Sequence, residues 1–177
     1  MTATYELHRG FTLLRTLAVP PEVMFRMWTD PGELGWFFNP AMPTPTEPVE
    51  VDLRVGGAWR QLMVIDEFSS YLTGGIYREI APVEKLVFSW GAVGGWPEID
   101  MARLDDVPLI TVIFDPTDAA EDRGDARPAT DMFFSLALPD HLTESQVAAW
   151  EEAGIEENWG KTLDRLVEAT KGETGAA

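Results

Sequence analysis

The chain has 177 residues, of which 45% are hydrophobic, and this composition is typical of a single folded domain rather than a disordered segment. Lys and Arg total 13 against 30 Asp and Glu, and the net charge of −17 argues against binding a nucleic-acid backbone or an anionic membrane surface. The absence of cysteine excludes thiolate catalysis, disulfide bonds and thiolate metal sites.

A strand and two short helices are the first elements that the sequence predicts. Residues 1–10 are expected to form an N-terminal arm, and Phe11 to Val19 is a short apolar run typical of a strand. Pro20-Pro21-Glu22 fits a helix start, because proline is tolerated in the first turn of a helix. Asp30-Pro31-Gly32-Glu33 predicts a second helix start. Four prolines between Asn39 and Pro48 then predict loop or extended chain.

Six further strands are predicted, and their short connections favour an antiparallel sheet. They are Val49 to Val55, Ala58 to Ile65, Tyr71 to Ile80, Lys85 to Trp90, Leu109 to Phe114 and Ala129 to Leu138. Gly56-Gly57 predicts a turn between the first two. Segments rich in Gly, Pro and Asp predict loops over Gly91 to Val107 and Pro116 to Pro128.

The last part of the domain is predicted to be helical. Thr143-Glu144-Ser145-Gln146 fits a capping box, in which a hydroxyl and a glutamine side chain satisfy backbone N–H groups. A stripe at helical spacing follows and consists of Ile155, Trp159, Leu163, Leu166 and Thr170. Gly154 precedes the stripe, so we expect a kink or a short helix followed by a longer one. Residues 172–177 are expected to form a disordered tail.

This order of elements predicts an α+β fold in which a curved antiparallel sheet of about six to seven strands wraps around a long C-terminal helix. Seven Trp and nine Phe make the space between sheet and helix a candidate apolar cavity.

Four segments resemble one protein family in their order and spacing. The segment from Asp52 to Arg60, which contains Gly56-Gly57-Ala58-Trp59, is similar to the signature hairpin of the family of activator-of-heat-shock-ATPase homologues. Ala18 to Phe25 with Thr29-Asp30-Pro31 is similar to its opening strand and helix. Gly75 to Trp90 and Asn158 to Leu166 are similar to its central strands and C-terminal helix. The family lies in the START-like superfamily, also called SRPBCC or birch-pollen-allergen-like. The resemblance covers roughly residues 11–170 and implies a helix-grip domain, which we expect over residues 11–171.

The resemblance does not imply one function, because the superfamily includes lipid carriers, cyclases, hydrolase-like enzymes and a co-chaperone domain. Our first hypothesis is the binding of an apolar or aromatic small molecule in the cavity. The alternatives are a cyclase- or hydrolase-like enzyme that uses the same cavity, and a co-chaperone-like interaction module with an exposed apolar patch at Phe37-Phe38 or Trp96-Pro97.

The candidate ligand-binding residues are those expected to face the cavity. They are Trp28, Trp36, Phe37, Trp59, Gln61, Met63, Trp90, Phe114, Met132, Phe134, Leu136, Trp159 and Leu163. Each aromatic residue could equally be ordinary core, because buried rings stabilise any fold. Gln61 is the best candidate for a polar group that orients the ligand, since strand alternation places it beside Trp59 and Met63.

Tyr77 and Glu79 are weak catalytic candidates, because alternation places a phenol and a carboxylate on one face of their strand. The alternative, which we favour, is an ion pair of Glu79 with a cross-strand Arg on the outer face. His8 and His141 lie outside the strand and helix patterns and are expected at the surface. The sequence predicts no metal and no cofactor. A cytoplasmic location is expected, and homodimer formation remains open.

Overall fold

Seven antiparallel strands form one curved sheet, whose spatial order is β1-β7-β6-β5-β4-β3-β2. A computed structural model describes residues 9–119 and 127–173 of the chain. The strands are β1 Gly10–Leu17, β2 Glu50–Val51, β3 Ala58–Val64, β4 Ser70–Ala81, β5 Lys85–Trp90, β6 Leu109–Ala119 and β7 Arg127–Ala137. The predicted α+β class and strand number are confirmed. His8 and most of the predicted arm and tail lie outside the described residues.

Three α-helices accompany the sheet within the described residues, and their ends follow the local sequence. They are α1 Pro21–Thr29, α2 Glu144–Glu152 and α3 Ile155–Glu173. The predicted capping box is present, with Thr143 accepting from the Gln146 backbone while the Gln146 side chain accepts from Thr143 N. Gly154 separates α2 from α3 at a φ of +75°, a conformation that glycine adopts without strain. None of the described helices is long and apolar enough to span a membrane.

The second predicted helix is a 3₁₀ helix, Pro31–Phe37. The Asp30 side chain begins it by accepting a 2.8 Å hydrogen bond from Gly32 N. A shorter 3₁₀ helix, Leu104–Asp106, lies within the predicted loop that follows β5.

The prediction of a long strand from Val49 to Val55 is wrong, because only Glu50 and Val51 pair with β3. The next six residues fold into the turn before β3. Asp52 N donates to Ala58 O at 2.9 Å, and Gly57 N donates to Arg54 O at 2.8 Å. The turn that contains the two glycines is therefore wider than a two-residue hairpin turn.

The prediction of a loop from Pro116 to Pro128 is wrong at both of its ends, because β6 and β7 remain paired as far as Ala119 and Arg127; residues 120–126 lie outside the described residues. The neighbouring strands end earlier: β5 pairs with β6 only as far as Ile113, and β1 pairs with β7 only as far as Thr130. The hairpin therefore extends beyond the sheet as a two-stranded ribbon, where each strand has a free edge. Proline lacks the N–H of a ladder bond and is tolerated at such edges.

The core lies between one face of the sheet and the helices. Period-two alternation in β6 and β7 predicts two inward rows, and the structure confirms both: Ile110, Val112, Phe114, Met132, Phe134, Leu136 and Leu138 are at most 4% exposed. The predicted stripe of α3 faces them, and all five of its members are buried. The sheet and α3 thus bury complementary apolar surfaces against each other.

Candidate functional site: a pocket between the last helix and the sheet

A pocket of about 400 Å³ lies between the first half of α3 and the adjoining ends of β3 and β4. Its apolar wall is formed by Phe37, Met63, Tyr71, Trp90, Trp96 and Trp159. Its polar wall comes mainly from α3, which presents Asn158, Lys161, Thr162 and Arg165 along one side. The pocket thus has an aromatic side and a hydrogen-bonding side.

The aromatic wall is a continuous chain of edge-to-face contacts. The Trp90 ring centroid lies 5.3 Å from both Trp96 and Trp159, and Trp159 lies 5.5 Å from Phe37. Tyr71 extends the chain, with its ring 6.1 Å from Trp96. Edge-to-face pairs are favourable beyond their buried area, so each ring holds its neighbour in position.

Trp96 reaches the pocket because the loop after β5 is bonded to the sheet. Trp96 N donates to Leu72 O at 2.7 Å, and Gly91 N donates to Gly74 O at 3.0 Å. Gly95 allows this close approach, since an added Cβ would lie 2.2 Å from Leu72 O. The indole of Trp96 is 45% exposed and covers one side of the pocket.

The structure divides the predicted ligand-binding residues into two groups. Phe37, Met63, Trp90 and Trp159 line the pocket. The others lie in the closed core and are Trp28, Trp36, Trp59, Gln61, Phe114, Met132, Phe134, Leu136 and Leu163. Aromatic rings fill the space between α3 and the sheet, since the Phe134 ring centroid lies 4.7 Å from that of Trp159 and 6.4 Å from that of Trp28.

Gln61 does not line the pocket, although strand alternation correctly predicts that it faces inward beside Trp59 and Met63. Its amide oxygen accepts from Trp59 Nε1 at 3.3 Å, and its amide nitrogen donates to Leu34 O at 3.4 Å. Both ends of the side chain are thus used to satisfy buried polar groups of the core.

Tyr77 and Glu79 do not share a face, and the expectation that they do is wrong. The register of β4 against β5 shifts between them, so Tyr77 pairs with Phe88 while Glu79 pairs with Val87. This bulge adds one residue and reverses the alternation. Tyr77 is 1% exposed, whereas Glu79 is exposed and forms a 2.8 Å ion pair with Lys85. Glu79 therefore lies on the exposed face, as the favoured alternative expects, but its partner is Lys85 rather than an arginine.

Replacing Tyr77 with phenylalanine is expected to leave the free energy of unfolding unchanged or to raise it by up to about 1 kcal/mol. The Tyr77 hydroxyl is buried and has no hydrogen-bond partner among the described residues, so its removal relieves a desolvation cost. Urea unfolding followed by circular dichroism measures the change. A loss of more than about 1 kcal/mol would contradict the assignment of this hydroxyl as unpaired.

Tyr77→Phe is also expected to reduce the fall in the free energy of unfolding at alkaline pH. Burial raises the pKa of Tyr77 above the ordinary value of 10.0, so the folded chain keeps a proton that the unfolded chain loses near pH 10. Stability therefore falls as pH rises above about 10, by about 1.4 kcal/mol per pH unit for this one group. Urea unfolding between about pH 10 and 11.5 should show that additional slope in the wild type but not in Tyr77→Phe.

Arg165 is the most distinctive polar group of the pocket. Its Nε donates to Trp36 O at 3.2 Å, and its Nη2 donates to Phe37 O at 2.8 Å and to Thr162 Oγ1 at 3.3 Å. Burial lowers the pKa of Arg165. Burial also raises the pKa of Tyr71, and the positive charge of Arg165 partly offsets that rise. A partly desolvated guanidinium therefore lies beside aromatic rings.

Sequence reasoning missed Arg165, although a signal was present. Asn158, Thr162 and Arg165 follow helical spacing one position before Trp159, Leu163 and Leu166 of the apolar stripe. Polar residues that flank a buried stripe lie at the edge of the helix–sheet interface, where pocket walls form. His141 is exposed and lies 3.3 Å from Asp106, and no group of three or more potential metal ligands occurs among the described residues.

Known structures with the same fold come from several bacteria. A Nitrosomonas europaea protein is 23% identical, with a TM-score of 0.63 over 94% of this chain and 97% of that one. A Mycobacterium smegmatis protein is 16% identical, with a TM-score of 0.65 over 93% of each chain. A Staphylococcus aureus protein described as of unknown function is 15% identical, with a TM-score of 0.58 over 94% and 98%. These similarities establish the fold alone.

No curated protein matches the chain. The sequence profile of one family, described as Activator of Hsp90 ATPase homolog 1-like protein, matches residues 18–171. This match covers most of the chain and agrees with the resemblance in the hairpin, central strands and last helix. The protein therefore belongs to the Activator of Hsp90 ATPase homolog 1-like family.

Proposed function

We propose that this protein binds a small apolar or aromatic molecule in the pocket between α3 and the sheet. The observation that carries the proposal is the combination of volume and lining: about 400 Å³ of space walled by Trp90, Trp96 and Trp159. Small-molecule sites are clefts of about 300–1,000 Å³ lined by aromatic and apolar groups with a few polar ones. The membership of a START-like family supports the same proposal.

The enzymatic alternative has less support. Its two candidate residues are separated by the β4 bulge, and the pocket wall includes neither of them. The interaction-module alternative has a smaller first patch than expected, because Phe37 is only 6% exposed while Phe38 is half-buried. Trp96 remains partly exposed, but it contributes to the pocket wall.

Isothermal titration with neutral 2-naphthamide tests the proposed pocket. Wild-type protein is expected to bind this probe, and Ala153→Phe is expected to weaken binding at least about tenfold, which corresponds to about 1.4 kcal/mol. Ala153 is exposed and lines the pocket, so a larger side chain there occupies ligand space. Ala149→Phe is the matched control, because Ala149 is exposed on α2 but is not part of the pocket wall.

Two results would contradict the proposal. The first is an absence of binding of both 2-naphthamide and its carboxylate counterpart 2-naphthoate at millimolar concentration. The second is equal weakening by Ala153→Phe and Ala149→Phe. Native mass spectrometry of freshly purified protein is a complementary measurement, because a co-purified small molecule would identify the ligand directly.

A further inference from the structure

The charge of the pocket is opposite to the charge of the chain. Its charged lining residues are Lys161 and Arg165, and the wall contains neither Asp nor Glu, although acidic residues outnumber basic ones 30 to 13 in the whole sequence. A second depression of about 470 Å³, near the start of α3, shows the usual sign: its charged lining residues are Glu151, Glu156 and Glu157. The pocket is therefore a local basic site on an acidic protein.

Arg165 supplies the positive charge of the pocket that has no carboxylate partner among the described side chains. Lys161 is paired with Glu157 at 2.7 Å, whereas Arg165 has no carboxylate within 4.0 Å among the described side chains. Its protein hydrogen bonds use Nε and Nη2 and end on two carbonyls and one hydroxyl. No bond from Nη1 is found among the described residues, so its two N–H groups have no protein acceptor there.

The hydrogen bonds that Arg165 does make also hold it in place. Trp36 and Phe37 end the 3₁₀ helix, and their carbonyls fix the Nε and Nη2 edge of the guanidinium. A fixed guanidinium loses little conformational entropy when an acceptor binds its remaining edge. Neutral acceptors do not cancel its charge, and partial burial strengthens its interaction with an anion.

Two further residues of the same wall carry hydrogen-bond donors. The indole Nε1 of Trp159 is buried and has no hydrogen-bond partner among the described residues, and the residue itself is only 3% exposed. Tyr71 contributes a phenol to the pocket lining. The Trp159 nitrogen is closed off from the pocket space, so it does not add to the recognition of an acceptor there.

We propose that the ligand of this pocket is an apolar or aromatic monocarboxylate, whose carboxylate accepts hydrogen bonds from Arg165 while its apolar body packs against Trp90, Trp96 and Trp159. This inference rests on the proposed binding function and adds the chemical class of the ligand. A singly charged group fits best, because one unpaired cation faces the pocket and the net charge of −17 repels multiply charged anions.

The test compares 2-naphthoate with 2-naphthamide, which share a ring and differ in the charge of the head group. Isothermal titration of the full wild-type chain at pH 7 should show naphthoate binding about tenfold or more tightly, the ratio expected for a charge-assisted hydrogen bond. Equal affinities would overturn the monocarboxylate inference but leave the binding function intact. If neither probe binds at millimolar concentration, both proposals are wrong.

Variants identify the group responsible. Arg165→Met is expected to reduce the naphthoate-to-naphthamide affinity ratio to about one, since it removes the one pocket cation that has no paired carboxylate among the described side chains. Lys161→Gln is the matched control, because it removes the paired pocket cation and should retain most of the preference. An Arg165→Met protein that binds naphthoate as tightly as wild type would overturn the assignment. If that variant fails to fold, the wild-type ratio and the Lys161→Gln ratio still decide the outcome.

Discussion

Phe134→Ala should lower the free energy of unfolding by about 3–5 kcal/mol, the range for removing a fully buried phenylalanine. The side chain is 0% exposed, and its ring centroid lies 6.3 Å from Phe11, 6.4 Å from Trp28 and 4.7 Å from Trp159. One ring of β7 therefore contacts β1, α1 and α3. Alanine would leave a cavity at the point where sheet and helices meet, and the surrounding rings cannot fully collapse into it.

Urea unfolding with both circular dichroism and tryptophan fluorescence measures this loss. Phe68→Ala is the matched control, because Phe68 is 95% exposed and its removal should change stability by less than about 0.5 kcal/mol. A loss below about 1.5 kcal/mol for Phe134→Ala would show that its ring is not a central packing element. The denaturant dependence should remain unchanged if only the folded state is affected.

Gly74→Ala should destabilise the fold by about 3 kcal/mol or more, because its cost is a backbone clash rather than a lost contact. Gly74 has a φ of +152°, and an added Cβ would lie 1.7 Å from Trp59 O and 2.7 Å from its carbonyl carbon. Strand β4 would have to move away from β3, next to the pocket residue Thr73. We therefore expect weaker binding of 2-naphthamide as well.

Gly35→Ala is the control for this substitution. No atom lies within 4 Å of the Cβ that would be added there, and Gly35 lies in the 3₁₀ helix without a positive φ. Stability should stay the same or rise by about 0.4–1 kcal/mol through the lower entropy of the unfolded chain. Similar effects of the two substitutions in urea unfolding would contradict the proposed close approach of β3 and β4.

The sequence by itself predicts elements that depend on local chemistry. Alternation along β7 identifies the inward row of Met132 and Phe134, because neighbouring side chains point to opposite faces of a strand. Thr143 and Gln146 mark the start of α2, since a capping box involves only residues close in sequence. Gly154 marks the break before α3 for the same reason. The family resemblance extends these local signals to the whole fold.

The site depends on contacts between residues that are distant in sequence. A bulge in β4 separates Tyr77 from Glu79, and periodicity within one strand cannot show how that strand pairs with its neighbour. Aromatic composition predicts an apolar interior, but only packing decides that Phe134 fills space while Trp90 borders a pocket.

The polar part of the pocket has the same origin. The Arg165 guanidinium is held in place by hydrogen bonds to the carbonyls of Trp36 and Phe37, which lie nearly 130 residues away in the sequence. The spacing of α3 places it beside the buried stripe, but the absence of a carboxylate partner among the described side chains is a property of the assembled fold. The sequence alone therefore determined the class of fold and the faces of its elements. The tertiary structure decided where the pocket lies and which charge it presents, because both depend on packing between distant segments.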